Sequence, residues 1–366
     1  MKIECLKEKL TDGITKAERL TGKNLSLPIL KCIFLEAKNN LLTVRATNLD
    51  LGIELTLPVK VVRPGSAALL GNVLTHVLNH IPEEKNVILE QDEGGIRVGS
   101  KATAALIKTF PHEDFPTLPK VTGAEIKSLS SDDLLRGLRS VWFSAALSSV
   151  KPELSSVYLH AEDQELVFVA TDSFRLAEKR IPLKKKEEIS NVLIPLKNVP
   201  ELVRLLESIP GSFTLTIGTN QVAFLWDSVA LVSRTIDGTF PDYKQILPKE
   251  GKTEVVALKA ELVNALKLAH IFSDAFQQVT FRIAPKDKIF EIRTRNAEVG
   301  ESATLVGGAL RGDGVTLSFN HRYLSDAFQP VASDSVALSL DGAGKPMVVR
   351  GVSDSSFLYL VMPMNK

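Results

Sequence analysis

Two rhythms of apolar residues run through this chain. Short β-rich runs such as Leu42-Thr-Val-Arg, Val167-Phe-Val and Phe290-Glu-Ile-Arg predict strands. Three other stretches carry apolar residues at helical spacing: Leu6, Leu10, Ile14 and Ala17; Leu134, Leu138 and Val141; Leu258, Leu262, Leu266 and Ala269. Each helical stretch follows a strand-like run, Ile3-Glu-Cys-Leu6, Glu125-Ile-Lys-Ser or Glu254-Val-Val-Ala. A second set of helices is predicted to open at Asn72, Asn198 and Asn320, and Asn198-Val-Pro-Glu201 has the spacing of a capping box.

The pattern repeats. Ala46-Thr-Asn48, Ala170-Thr-Asp172 and Thr294-Arg-Asn296 are centred on positions 47, 171 and 295, two intervals of 124 residues. An aromatic or Met before Pro comes late in each unit, at Phe115-Pro116, Phe240-Pro241 and Met362-Pro363. Several markers in one order at nearly one period imply three copies of a single domain. The boundaries expected are 1–122, 123–251 and 252–366, because Lys120-Val-Thr-Gly-Ala and Pro248-Lys-Glu-Gly-Lys-Thr are polar and lack apolar periodicity. Runs of strands around two helices per copy predict an α+β fold with antiparallel sheets. Two helices cannot cover both faces of those sheets, so one face must meet another domain or solvent.

Composition narrows the function classes. A formal charge of +1 excludes a strongly cationic nucleic-acid binder but permits basic residues gathered on one surface. Cys5 and Cys32 are too few for a disulfide scaffold or a cysteine-built zinc site. Charges in Met1-Lys-Ile-Glu, and no apolar run approaching a membrane span, point to a cytoplasmic protein without a membrane role. His76 and His80 have the spacing of a zinc-binding helix, but Val77 stands where a general base is needed and no third ligand is marked. Gly307 and Gly312 have the outer spacing of a phosphate loop. Asp313-Gly314 follows in place of Lys-Ser/Thr, so a turn is expected there. No catalytic residue, metal site or cofactor is expected.

Basic residues on the predicted helices are more suggestive. Lys9, Lys16 and Arg19 share roughly an 80° arc beside the first apolar stripe. Arg136 and Arg139 are three apart on the next copy's first helix, Lys267 lies on the third, and Lys197, Arg204 and Arg322 lie on or near the second helices. These faces either contact phosphates or are simply solvated.

At this point the chain resembles the bacterial sliding clamp family, the beta subunit of DNA polymerase III. The resemblance runs the whole length. It is carried by Leu27-Pro-Ile-Leu30, Ala46-Thr-Asn-Leu-Asp50, Asp114-Phe-Pro116, Val169-Ala-Thr-Asp172 with Arg175-Leu176, Asp237-Gly-Thr-Phe-Pro-Asp-Tyr243, Phe319-Asn320 with Tyr323, and Val361-Met-Pro-Met364. It implies a non-catalytic processivity factor, a head-to-tail homodimer forming a closed ring with helices inside and sheets outside. Such a ring would slide on double-stranded DNA without regard to sequence. Its partners would be a clamp loader, the catalytic subunit of the replicative DNA polymerase and other proteins bearing clamp-binding peptides. The residues facing DNA would be Lys9, Lys16, Arg19, Lys23, Asn24, Arg136, Arg139, Lys197 and Arg204. Ile107, Ile271 and Phe272 would meet at the dimer contact.

By the same resemblance, a peptide pocket would comprise Leu154, Thr171, Ser173, Phe174, Arg175, Leu176, Pro241, Gln245, Ile246, Asn320, Tyr323, Leu360, Met362, Pro363 and Met364. Arg175 and Asn320 could hydrogen-bond a peptide backbone, while Met362 and Met364 could equally be core positions of a terminal strand. Ser173, Phe174 and Gln245 depart from the Gly, His and Arg that the family leads one to expect. They predict a more apolar, less cationic rim, with binding that salt changes little. The competing class is a repeat-built enzyme, or a diverged clamp-like protein that does not encircle DNA.

Overall fold

The computed structural model describes residues 1–22, 27–82, 85–100, 103–248 and 251–364. Its α-helices are α1 (Lys7–Glu18), α2 (Gly71–His80), α3 (Ser131–Val141), α4 (Val199–Ser208), α5 (Lys259–Ile271) and α6 (His321–Ala327). The strands around them form sheets of five, nine, nine and four strands, all paired antiparallel. Three copies of one α+β pattern are therefore present, each with a strand, a helix, further strands, a second helix and closing strands.

The repetition reaches individual hydrogen bonds. The first helical residue of each copy sends its backbone N–H to the chain beyond the second helix: Lys7 to Lys85 O, Ser131 to Gly211 O and Lys259 to Asp334 O. Its side chain binds the same region, as Lys7 Nζ to Ile81 O at 2.6 Å, Ser131 Oγ to Ile209 O at 2.8 Å and Lys259 Nζ to Val331 O at 2.8 Å. Counted from these starts, the buried stripes align as Leu10, Leu134 and Leu262, then Ile14, Leu138 and Leu266. Burying each Leu or Ile contributes about 1.5–3 kcal/mol. The seventh helical position is Gly13, Gly137 or buried Ala265. A Cβ at Gly137 would stand 2.4 Å from the fully buried Phe168 ring, so a small residue lets the helix lie close on the sheet.

Several expectations are corrected here. Leu6 and Leu258 are not in the helical stripes. They end the preceding strands in extended conformation and are 38% and 50% exposed. Asn72 does not open its helix: α2 starts at Gly71, and Asn72 Oδ1 accepts from Val73 N. Asn320 does cap α6, accepting from Arg322 N and Tyr323 N. Asn198 does stand directly before its helix, since α4 opens at Val199, while Glu201 accepts from Arg204 at 2.6 Å. The Gly308–Gly312 stretch is an edge strand paired with Thr253–Leu258 rather than a turn. A Cβ at Gly308 would come within 2.5 Å of Val256 O, so glycine there allows close backbone approach.

The chain divides into two compact units, Met1–Asp132 with Pro200–Thr235, and Asp133–Val199 with Ile236–Lys366. Each contains one nine-stranded sheet that joins two copies. In the first unit Leu51–Pro58 pairs with Val229–Arg234, aligning Leu51 with Ser233 and Leu55 with Val229. In the second, Arg175–Pro182 pairs with Phe357–Val361, aligning Arg175 with Val361 and Lys179 with Phe357. Strand edges of one copy are thus covered by the next.

Candidate functional site

The second unit holds a cavity of about 570 Å³ beside its joint, within the size range of ligand pockets. One wall is the turn Thr171-Asp-Ser-Phe-Arg175, and its local chemistry explains the repeated Thr-Asn/Asp marker. Thr171 Oγ1 donates to Arg175 O at 2.7 Å and accepts from Ser173 N. Asp172 Oδ1 accepts from Phe174 N and Arg175 N, each at 3.0 Å. The first copy builds the same turn with Thr47 and Asn48. Ser173 and Leu49 both adopt left-handed φ, 78° and 75°. The turn presents Phe174 to solvent at 62% exposure.

The opposite wall is the segment Phe240–Pro248, pinned from behind. Phe240 stacks on Tyr158 at 4.7 Å, and Tyr243 Oη donates to the buried Glu178 at 2.5 Å. Burial, then that carboxylate, pushes the Tyr243 phenol well above its ordinary range. Glu178 also accepts from Arg180 Nε, and Lys244 donates to Glu162. With its aromatic residues anchored, this segment holds Gln245, Ile246, Leu247 and Pro248 at the cavity. The floor is Leu176, Leu360 and Met362. The tail after the last strand is fixed by Met362 N to Phe174 O at 2.8 Å and Met364 N to Ser318 O at 2.7 Å.

Of the expected pocket residues, Thr171, Ser173, Phe174, Arg175, Leu176, Gln245, Ile246, Leu360 and Met362 line this cavity. Leu154 is buried, Pro241 is exposed on the pinned segment, and Pro363 and Met364 lie along the tail. The two groups expected to bind a peptide backbone are engaged within the chain. Asn320 caps α6. Arg175 donates to Asp172 at 2.9 Å, to Asp326 at 2.8 Å and to Phe143 O at 2.5 Å, with its guanidinium 4.2 Å from the Tyr323 ring. Its side chain is 10% exposed, so it braces the wall from inside.

Asp341, Gly344, Lys345 and Pro346 also line the cavity and escaped the sequence reading. Asp341-Gly-Ala-Gly-Lys-Pro reads as a turn. Its place beside residues 171–175 depends on strand order, since Met347–Gly351 pairs with Phe357–Val361, which pairs with Arg175–Pro182. At the first unit's joint, Leu118 packs onto Gly52, where a Cβ would meet its Cδ2 at 2.3 Å.

The helix faces carry the expected basic residues, several already paired on their own helix. Lys16 binds Asp12 at 2.5 Å, Arg136 binds Asp133, and Arg204 binds Glu201 at 2.6 Å. Lys9, Arg19, Arg139 and Lys197 are exposed, while Lys23 and Asn24 lie outside the described residues. Of the expected contact residues, Ile271 is 66% exposed, and Phe272 packs 3.6 Å from where a Gly300 Cβ would stand. Ile107 is buried, so the exposed apolar side chain on its strand is its neighbour Leu106.

His76 and His80 are exposed on α2, with His80 Nδ1 bonded to His76 O. Among the described residues no group of three or more His, Cys, Asp or Glu could hold a metal ion, and no helix is long and apolar enough to cross a membrane.

Known proteins share this organisation from end to end. The N-terminal, central and C-terminal domain models of the DNA polymerase III beta subunit match residues 1–119, 128–242 and 244–365. A beta sliding clamp of Buchnera aphidicola is 28% identical over 373 residues, covering all of both chains. One from Bacillus subtilis is 24% identical, covering 100% of this chain and 99% of its own. Among solved structures, the Bacillus subtilis DNA polymerase sliding clamp superposes with a TM-score of 0.94 at 24% identity, over 100% of this chain and 99% of that one. The Thermotoga maritima DNA polymerase III beta subunit gives 0.92 at 24% identity, with the same coverage. With three repeats matched in order by the three domains of one protein, this chain belongs to the DNA polymerase III beta subunit family.

Proposed function

We propose that this protein is a replication processivity clamp, two chains closing head to tail into a ring around duplex DNA. The observation that carries the reading is a pair of strands left over by the repeat. Leu51–Pro58 and Arg175–Pro182, which follow the Asn48 and Asp172 turns, each pair with a strand from the next copy. Their counterpart after Asn296 is Gly300–Leu305, an edge strand. The counterpart of Val229–Arg234 and Phe357–Val361 in the first copy is Ala104–Ile107, also an edge strand. Pairing these two between chains makes a third joint of the same kind, and doing so twice closes six copies. Exposed Leu106 on one side, with Ile271, Phe276, Val299 and Leu305 on the other, supplies apolar surface for that contact.

The domain limits 1–122, 123–251 and 252–366 fit this scheme, since strands open at Ala124 and Thr253. Helix faces whose basic residues are partly neutralised suit weak, sequence-blind phosphate contacts that permit sliding. The cavity in the second unit is read as the seat of an extended peptide from the polymerase catalytic subunit, the clamp loader and other partners. The ring then holds each partner at the DNA by effective concentration. In this reading the protein performs no chemistry, needs no cofactor and works in the cytoplasm. Loaded on a nicked circular plasmid by a clamp loader, it should stay with the DNA through gel filtration and be released when the plasmid is linearised. Equal retention on linear and circular DNA would sink the ring.

A further inference from the structure

Sorting the polar groups of the cavity by their partners leaves one charge unaccounted for. Thr171 Oγ1 is engaged by its own turn, and Arg175 by Asp172, Asp326 and Phe143 O. Gln245 Nε2 donates to Asp242 at 2.9 Å, and the Asp341 carboxylate stands 3.7 Å from Lys252 Nζ. Lys345 differs. Its backbone N–H donates to Gly342 O, but its ammonium has no hydrogen-bond or ion-pair partner among the described residues.

Local backbone chemistry puts that ammonium at the cavity. Lys345 sits on a lip between the strands Ser335–Leu340 and Met347–Gly351. Gly342 and Gly344 have φ of 88° and 76°, which glycine alone adopts without strain, and a Cβ on either would meet nothing within 4 Å. The lip thus stands clear of its surroundings, with Lys345 exposed between Gly344 and Pro346, all three lining the cavity.

We propose that Lys345 selects, among peptides that fill this cavity, those carrying an Asp or Glu side chain beside the apolar anchor. The proposal rests on the reading of the cavity as a peptide site. Leu176, Ile246, Leu360 and Met362 supply apolar contact that cannot tell one flanking charge from another. Each nearby carboxylate is already paired with Arg175, Lys252 or Gln245, so the Lys345 ammonium is the charged group at the mouth that no side chain of the chain engages among the described residues. An exposed ion pair of this kind changes affinity by about two- to fivefold, and replacing attraction by repulsion widens the contrast to about tenfold. Binding is then sensitive to salt, against the expectation from Phe174 and Gln245 alone.

The test uses the full chain and three fluorescent peptides that share a Gln-, Leu- and Phe-bearing core and carry Glu, Gln or Lys beside it. Anisotropy at low salt should rank Glu above Lys by about threefold to tenfold, with the gap closing in high salt. Lys345→Glu should invert the ranking, and Lys345→Met should erase it, with unchanged melting temperatures showing that both variants fold. Equal binding of the Glu and Lys peptides by the parent, or a ranking that persists in Lys345→Met, overturns the proposal. Failure of the parent to bind any of the three overturns the peptide reading of the cavity itself, and the proposal with it.

Discussion

Replacing Arg175 by Met should unfold the pocket wall before it touches the ligand. The guanidinium is nearly enclosed and joins Asp172, Asp326 and the Phe143 carbonyl over the Tyr323 ring. Methionine keeps much of the stem's volume but leaves two carboxylates, 14% and 26% exposed, facing each other without a cation. Breaking a buried pair by removing one partner costs about 3–5 kcal/mol. For a unit of this size that lowers the melting temperature by about 6–20 °C, at about 2–4 °C per kcal/mol. Urea unfolding should show the midpoint falling with an unchanged slope. Adding Asp326→Asn removes one stranded charge, so the double variant should recover at least about 1 kcal/mol relative to additivity. If Arg175→Met unfolds within about 1 kcal/mol of the parent while peptide affinity collapses, the guanidinium is a ligand group and not a brace.

Further outcomes follow from the same geometry. Ile271→Ala with Phe272→Ala should give monomers by sedimentation at concentrations where the parent is dimeric, at about 2–5 kcal/mol per large side chain buried in the contact; an unchanged mass would refute the placement. Charge reversal at Lys9, Lys16 and Arg139 should weaken DNA retention uniformly across sequences and flatten its salt dependence, with Lys16 contributing less than Lys9 because Asp12 already binds it. Deleting residues 362–366 removes Met362 from the cavity floor, worth about 1.5–3 kcal/mol if fully covered, so peptide affinity should fall at least about tenfold. The same deletion loses the backbone bonds to Phe174 and Ser318, so a melting curve must accompany the anisotropy; full peptide binding would exclude this cavity. His160 is buried with Nδ1 unpartnered, and burial holds its pKa below 6.5. The unfolded chain therefore takes up that proton first, and stability should fall as pH drops below 6.5; His160→Gln should flatten that part of the profile seen in urea midpoints.

What the chain determined by itself is local. The turn at Thr47-Asn48 and Thr171-Asp172 is written in neighbouring residues, because each side-chain oxygen bonds backbone N–H groups two or three positions on. The stripes Leu10, Ile14, Ala17 and Leu262, Leu266, Ala269 are legible because helical rotation returns them to one side. The period of these patterns revealed the three copies. Where the strand-to-helix switch falls was not legible at Leu6 and Leu258, since an apolar residue suits the end of a strand as well as the start of a helix. Tertiary structure alone decided what lies across from what. Leu51 meets Ser233 and Arg175 meets Val361 by backbone hydrogen bonds, which are the same for every side chain and leave no pairing code in the sequence. Those pairings turn the Arg175 guanidinium inward onto Asp326, 151 residues away, and carry the Lys345 lip to the cavity. Partners so distant along the chain meet through sheet order, and that order is settled by burying whole faces together.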